Sequence, residues 1–389
     1  MTFTARRLFA PLCIALCLGG CASAPPLPPP EALLHDEWFG PPQAPVRPDD
    51  AMAVSEAMRR YVSTHLGSVT RYGDSKQRLV DALYRDGELR LEYDASVTRT
   101  AAQAFEARSG NCLALVLMTA TFAKQLGLPV HFQLVLGDES WDRTADLYVA
   151  VGHVNLTLSD RPAMAGNGVT VEDPLTVDFQ PVRGGWAQRT RAIGEATVVA
   201  MFLNNRAVES LARGQLDDAY AWTRAAILKE PSFASGYLTL SVIYRKRHHP
   251  ELAEQALRQV LALDADNTKA MANRVLVLQD LGRQAEADQL AQRLAVLDPH
   301  PPYSYFHQGM RAAEQHRWVD AREWFAREVQ RAPYQPEFEF WLAIACTALN
   351  DLPNAQAHLR RAMALSTTGA DRELYASKLA RLAAPPPAP

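Results

Sequence analysis

Three features that would each assign a class of function are absent from the sequence. Its 389 residues carry a formal net charge of −3, so charge gives no basis for binding nucleic acid or an anionic membrane surface. No apolar run reaches the roughly 20 residues that a membrane-spanning helix needs. Neither a phosphate-binding loop ending in Gly-Lys-Ser/Thr nor a zinc-type cysteine pair occurs in the part expected to fold. We therefore expect no cofactor, no metal and no nucleic-acid partner.

The N-terminus has the pattern of an export signal over residues 1–20. Two arginines precede an apolar run at 8–18, and the motif Leu-Gly-Gly-Cys21 follows it. This motif resembles the lipobox of bacterial lipoproteins, which implies cleavage before Cys21 and a diacylglycerol group on its sulfur. By resemblance to lipoprotein sorting in enteric bacteria, Ala22 indicates the outer membrane, with the protein facing the periplasm. The lipid anchor would then be the contact with the membrane.

Residues 21–49 are rich in proline, which predicts a semi-extended tether between the anchor and the folded part. Within this tether, the stretch 33–39 (Leu-Leu-His-Asp-Glu-Trp-Phe) is too apolar for a simple linker. We expect this stretch to dock on the folded body.

Residues 50–197 predict an α+β domain, because helical patterns come first and strand patterns follow. With 48% hydrophobic residues, the whole chain can form two domains with cores of their own. The predicted helices are 50–66, 74–84, 98–107 and one that begins near Cys112, and the predicted strands are 130–136, 148–158 and 175–179.

Cys112 is the first candidate for chemistry. Asn111 is a good N-cap before an apolar run typical of a buried helix, so Cys112 falls in the first turn. Unpaired backbone N–H groups and the positive end of the helix dipole favour a thiolate there, as a cysteine nucleophile requires. The alternative is a small apolar core residue that happens to begin a helix.

His153 and Asp178 are the residues that would complete a thiol site. Alternation in the strands 148–158 and 175–179 puts each of them on the polar side of its strand. If the strands pair antiparallel, they bury their apolar faces and bring His153 and Asp178 together. The alternatives are a structural histidine and a solvated aspartate. Asp173 is the rival for the carboxylate, but it shares the apolar side and precedes a proline.

The rest of the chain, residues 198–382, repeats itself with a period of 34. A small residue recurs at this spacing as Ala219, Ala253, Ala287, Ala321 and Ala355. This period, with a small residue where two helices cross, is the signature of tetratricopeptide repeats. The five units are 200–233, 234–267, 268–301, 302–335 and 336–369, and an end helix precedes the disordered tail 383–389.

We expect the five units to stack into one superhelix with an inner groove lined by their first helices. Such a groove commonly binds an extended or helical peptide, so a protein or peptide partner is expected there. Cys346 occupies a packing position of the last unit and is predicted to be a core residue. The basic stretch 245–249 (Arg-Lys-Arg-His-His) falls between helices and is predicted to be a solvated turn rather than a metal site.

Four short motifs together resemble the transglutaminase-like superfamily: Arg-Ser-Gly-Asn-Cys112-Leu, Gly127-Leu-Pro, Gly-His153-Val-Asn and Val-Asp178-Phe. The chain is most similar to bacterial members that join this domain to tetratricopeptide repeats. The resemblance implies a papain-like fold with Cys112 as nucleophile, His153 as general base and Asp178 as the orienting carboxylate. Leucine follows the cysteine where the family often has an aromatic or charged residue. Gln103 is the candidate for the upstream oxyanion donor of the family.

Two functions remain open from the sequence. The first is an outer-membrane lipoprotein with a thiol-dependent amidase, protease or acyl-transferase activity on protein or peptide substrates that the repeats recruit. Attack by Cys112 would give a thioester, which water or an amine then resolves. The second is a non-catalytic envelope scaffold that binds peptides and carries an idle triad.

Overall fold

The computed structural model describes residues 28–66, 75–84, 89, 91–94, 97–136, 140–144, 147–159, 174–179, 189–366 and 369–383. Two of the predicted residues, Cys21 and Asp173, lie outside the described part of the chain. The predicted export signal and residues 384–389 also lie outside it.

Helices lead the α+β region, as the sequence predicts. They are α1 (Glu56–Tyr61), which continues into a π-helical turn at Val62–Leu66, α2 (Ser75–Tyr84), α3 (Ala101–Ala107) and α4 (Cys112–Gln125). Three 3-10 turns precede them at Pro30–Leu33, Asp36–Trp38 and Pro48–Met52. The predicted helix 50–66 is interrupted, because Ala53 is extended and Ser55 caps a new helix by accepting a hydrogen bond from the Met58 N–H.

The helix α4 is the centre of this region. Asn111 Oδ1 accepts a hydrogen bond from the backbone N–H of Ala114 at 2.9 Å, so the helix begins at Cys112, as predicted. Every residue of the stretch Leu113–Ala123 is buried, as expected of a helix that is apolar on all sides. Gly127, with a φ of 67°, lies just beyond its end and supplies the left-handed backbone that terminates many helices.

Four of the described strands of this region form a small antiparallel sheet that packs on α4. The strands are β1 (Glu92–Tyr93), β2 (Ser109–Gly110), β3 (Val130–Val135), β4 (Ser140–Thr144), β5 (Leu147–Val151), β6 (Val154–Leu158), β7 (Leu175–Val177) and β8 (Thr190–Ile193). Among them, the order β7-β6-β3-β8 makes the antiparallel sheet, β4 pairs antiparallel with β5, and β1 pairs parallel with β2. The strand β6 lies against α4.

The predicted strand 148–158 is divided in the structure. It breaks at Gly152 and His153, which lie between β5 and β6. All five residues of β6 are buried, including Asn155 and Thr157 on the side that the sequence predicts to be polar. The polar side of this strand is therefore covered as well as the apolar side.

The second half of the chain is an array of tetratricopeptide-like helical hairpins. They are α5 (Glu195–Ala212) with α6 (Leu216–Lys229), α7 (Ala234–Lys246) with α8 (Pro250–Leu263), α9 (Thr268–Asp280) with α10 (Gln284–Leu297), α11 (Ser304–Glu314) with α12 (Trp318–Arg331), and α13 (Pro336–Ala348) with α14 (Leu352–Leu365). The end helix is α15 (Gly369–Ala383). The five alanines spaced by 34 residues are all fully buried. No helix of the described residues has both the length and the apolar composition that crossing a membrane requires.

The hairpins share three hydrophobic clusters instead of one continuous core. Val198 of α5 packs with α4 and the sheet, so the first hairpin is joined to the α+β region. A second cluster extends from Leu33 through α6, α7 and α8 to Val277 of α9, and a third begins at Tyr303. The apolar packing of the array is therefore divided between clusters. The second and third clusters are separated at α10, in which Ala287 is the one buried residue.

The stretch 33–39 docks on the repeats. Its Trp38 ring lies 4.2 Å from the His249 ring, and the Arg247 guanidinium lies over another of its aromatic rings. The basic stretch 245–249 is therefore more than the solvated turn that the sequence predicts. Arg247 and His249 contact aromatic residues of a distant part of the chain that no local pattern places beside them.

Candidate functional site

The structure brings His153 and Asp178 into direct contact at the end of the β6–β7 pair. Leu156 pairs with Val177 in the antiparallel register, and continuing this register places Asn155 opposite Asp178. His153 lies two residues earlier, on the same side as Asn155. Its Nε2 is 2.8 Å from Oδ1 and 2.9 Å from Oδ2 of Asp178.

Two further residues hold Asp178 in place. Asn155 Nδ2 donates a hydrogen bond to Asp178 Oδ2 at 3.2 Å, and the Tyr84 hydroxyl donates to the Asp178 backbone carbonyl at 2.7 Å. Neither of them is a candidate site residue from the sequence. The strand alternation that selected His153 also pointed to Asn155, whereas Tyr84 ends a helix about ninety residues away and gives no sequence signal.

The environment of His153 favours its protonated form. The side chain is 2% exposed. Burial lowers the pKa of His153, but hydrogen bonding and charge interactions with Asp178 and Cys112 outweigh this and raise it to about 9. At neutral pH the ring is therefore an imidazolium paired with the Asp178 carboxylate.

The second ring nitrogen of His153 is available to the thiol. Nδ1 is buried, and no nitrogen or oxygen of the described residues hydrogen-bonds to it. Cys112 is 3% exposed and close enough to the ring to contribute to the raised pKa of His153. With Nε2 occupied by Asp178, Nδ1 is the nitrogen left to exchange a proton with sulfur.

Cys112 is positioned by the cap of its helix. Asn111 uses its side-chain oxygen for the cap, and its Nδ2 donates to Thr98 Oγ1 at 2.9 Å. The cap is thereby anchored to the segment before α3. The first turn of α4 places the cysteine among free backbone N–H groups, which suits an anionic sulfur.

Gln103 and Cys346, the other residues singled out from the sequence, lie outside the Cys112–His153–Asp178 site. Gln103 is exposed and forms the capping box of α3 with Thr100, in which its side-chain oxygen accepts a hydrogen bond from the Thr100 N–H. Cys346 is buried in the third hydrophobic cluster, and burial raises the pKa of its thiol, which makes it an unreactive core residue, as predicted. In the described part of the chain, no group of three His, Cys, Asp or Glu residues is arranged to hold a metal ion.

Comparisons with known proteins concern the repeat region. No family model matches the chain. It is 26% identical over 135 residues to the type IV pilus assembly protein PilF of Pseudomonas aeruginosa, a match that covers 34% of this chain and 54% of that protein. The chain thus spans about half the length of the curated relative that it matches.

Solved structures resemble this chain over slightly less than half of its length. PilW, described as a widely conserved type IV pilus biogenesis factor, is 21% identical with a TM-score of 0.28, covering 48% of this chain and 86% of that one. YrrB, described as a TPR protein with an unusual peptide-binding site, is 20% identical with a TM-score of 0.25, covering 46% and 92%.

Proposed function

We propose that this protein is a lipid-anchored scaffold of the bacterial envelope that binds a protein or peptide partner through its repeat array. The observation that carries this proposal is the run of five hairpins with a buried alanine at the same position in each. Stacked hairpins of this kind expose an extended surface of first helices, and such surfaces are used to hold other chains. Similarity to a type IV pilus assembly protein supports a role in assembling other proteins.

A photo-crosslinking pair tests the binding surface. Leu276 on the first helix of the third unit is 43% exposed, and Val296 on the second helix of the same unit is 82% exposed. A photoreactive amino acid at position 276 should cross-link to a discrete envelope protein, and the same group at position 296 should not. Equal cross-linking from both positions, or none from 276 in the native envelope, would contradict binding through the first helices.

A second function, thiol chemistry in the α+β region, is favoured by one specific arrangement. His153 contacts Asp178 through Nε2, its Nδ1 is buried, and Cys112 is close enough to the ring to raise the pKa of His153. This is the order of roles in cysteine acyl-transfer enzymes: nucleophile, proton carrier and orienting carboxylate. The repeats would then recruit the protein or peptide on which the thiol acts.

The chemical step that these residues support is acyl transfer. The sulfur of the Cys112 thiolate, paired with the His153 imidazolium, attacks the carbonyl carbon of an amide. The carbon–nitrogen bond breaks, and the His153 imidazolium donates its proton to the leaving amine. Water or a second amine then attacks the thioester and releases Cys112. No cofactor enters this sequence of steps.

Trapping the thioester tests this second function. Full-length protein would be incubated with envelope extract and quenched in acid, and adducts on Cys112 identified by mass spectrometry. A discrete acyl adduct that is absent from Cys112→Ser and decreased in His153→Ala supports acyl transfer, because loss of His153 slows attack by the Cys112 sulfur. If no adduct is found on Cys112 in wild type or in His153→Ala, acyl transfer is contradicted and the scaffold remains the supported function.

A further inference from the structure

The first two hairpins hold a segment of the chain's own N-terminal region. We call residues 33–43 the docked segment, and the surface formed by Tyr220, Arg224, Tyr244 and Arg247 the tyrosine groove. The docked segment has little regular structure of its own beyond a single 3-10 turn at Asp36–Trp38 and the end of another at Leu33. Its conformation is therefore held mainly by the groove.

The groove recognises the backbone of the docked segment. The Tyr244 hydroxyl donates to the Leu33 carbonyl at 2.7 Å and accepts from the His35 N–H at 3.2 Å. Both tyrosine rings of the groove are buried, so these hydroxyls lie in fixed positions. A single fixed hydroxyl that pairs with both a carbonyl and an N–H two residues apart suits an extended peptide.

The groove also recognises three side chains spaced by three residues. Leu33 is buried in the second hydrophobic cluster. Asp36 Oδ1 accepts hydrogen bonds from the Tyr220 hydroxyl at 2.7 Å and from Arg224 Nε at 2.8 Å. Phe39 stacks on the Tyr220 ring at 3.8 Å with an interplanar angle of 2°.

Two acidic side chains of α6 hold the end of the docked segment. Asp217 Oδ1 accepts from the Gly40 N–H at 3.2 Å, and Asp218 Oδ1 accepts from the Gln43 N–H at 2.7 Å. Arg247 pairs with Asp217 and covers Phe39, so it links this end to the aromatic stack. Because these contacts use main-chain N–H groups, they do not depend on the side chains at positions 40 and 43.

Most of the docked segment remains in contact with solvent. The side chain of Asp36 is 60% exposed, and Trp38 is 50% exposed. Leu33 is its one buried apolar anchor among residues 33–43. A segment held by one buried leucine, one stacked aromatic ring, an exposed ion pair and backbone hydrogen bonds can be exchanged without unfolding the repeats.

We propose that the tyrosine groove is a peptide-binding site for partner segments of the pattern Leu-x-x-Asp-x-x-Phe, and that the docked segment is an internal ligand that a partner displaces. The inference rests on the proposed binding function and assigns the chemistry of its ligand. All of the contacts above are non-covalent, so a separate peptide of the same sequence can make them too. The covalent link between segment and groove raises the local concentration of the docked segment to the order of millimolar, so it competes with any free peptide.

A fluorescent peptide of residues 30–43 is the probe for the first test. Full-length wild type is compared with a full-length variant in which Leu33, Asp36 and Phe39 are all changed to alanine. The variant should bind the peptide at least about tenfold more tightly than wild type, because its own segment no longer competes. A control peptide carrying Asp36→Ala should lose at least about tenfold of the affinity for the variant. A variant with native helical circular dichroism that does not bind the peptide would overturn the proposal.

The second test uses the unmodified chain, so it does not depend on whether the triple variant folds. Hydrogen exchange is followed by mass spectrometry over residues 33–43 with and without excess unlabelled peptide. Displacement should speed exchange of the Gly40 and Gln43 amides, and the Asp36→Ala peptide should not. Unchanged exchange at the highest soluble concentration would show that the segment is a permanent part of the fold. If exchange is unchanged but position 276 still cross-links to an envelope protein, this inference is overturned and the general binding function is retained.

Discussion

The carboxylate of Asp178 lies 2.8 Å from Nε2 of His153, although 25 residues separate them in the chain. This contact fixes the orientation of the imidazole and leaves Nδ1 as its second functional atom. It also explains why a buried histidine can remain charged at neutral pH, since burial alone would favour the neutral ring.

The first prediction concerns the charge of Asp178. Asp178→Asn keeps a side chain of the same size but removes the negative charge that stabilises the His153 imidazolium. The pKa of His153 should fall from about 9 toward the value of about 6.5 for free histidine. Titration of the His153 ring protons by NMR measures this pKa. Asp173→Asn is the control, and a larger shift in that variant would transfer the carboxylate role to Asp173.

The second prediction concerns stability against pH. The pKa of His153 is raised on folding, so the stabilisation is fully present below the unfolded value near 6.5 and is lost as pH rises through about 9. A difference of this size corresponds to about 3 kcal/mol. Urea unfolding at pH 6 and pH 9.5 should show a larger loss of stability in wild type than in His153→Gln. The same loss in both proteins would mean that His153 is not charged in the folded state.

The third prediction tests the repeat packing with two alanines of α12. Ala321 is fully buried at the helix crossing, and Ala326 in the same helix is exposed. Ala321→Leu should overpack the crossing and lower the free energy of unfolding by about 1–3 kcal/mol. Ala326→Leu should change it by less than about 0.5 kcal/mol.

Hydrogen exchange localises the effect of Ala321→Leu. Faster exchange should extend to the neighbouring hairpins, because coupling in such arrays is between nearest neighbours. The helix α4 should keep its protection. Equal stabilities for the two leucine variants would show that position 321 is not at a helix crossing.

The fourth prediction concerns the anchor at Cys21. If its sulfur carries diacylglycerol, the protein should remain with membranes after a high-salt wash, because lipoprotein acyl chains give stable anchoring. Cys21→Ala should be released into the soluble fraction. Fractionation by flotation separates the two cases, and a Cys21→Ala protein that still floats would show another mode of attachment.

Local signals made much of this fold predictable from the sequence. Asn111 before an apolar run placed Cys112 at the first position of α4. Strand alternation placed His153 and Asp178 on the same side of the sheet. Alanines at a spacing of 34 gave every hairpin of the array. Each of these features depends on a few neighbouring residues or on a strict period.

Contacts between distant parts of the chain were not predictable. The Tyr84 hydroxyl reaches Asp178 across a large sequence separation, and no pattern marks the end of α2 as part of the site. The burial of Asn155 depends on what covers the second side of β6. The Arg247 side chain is exposed in any local prediction, and it is the docking of Phe39 that partly covers it.

The claim on which the thiol chemistry depends is that Cys112 and His153 act as a pair. The most direct measurement is the rate of alkylation of each cysteine by iodoacetamide at pH 7, followed by mass spectrometry in wild type and His153→Ala. Cys112 should react at least about tenfold faster than Cys346 in wild type, because an adjacent imidazolium and the helix N-terminus favour its thiolate. Most of this advantage should disappear in His153→Ala. Equal rates for Cys112 in the two folded proteins would contradict the pairing, and the scaffold would then be the supported function.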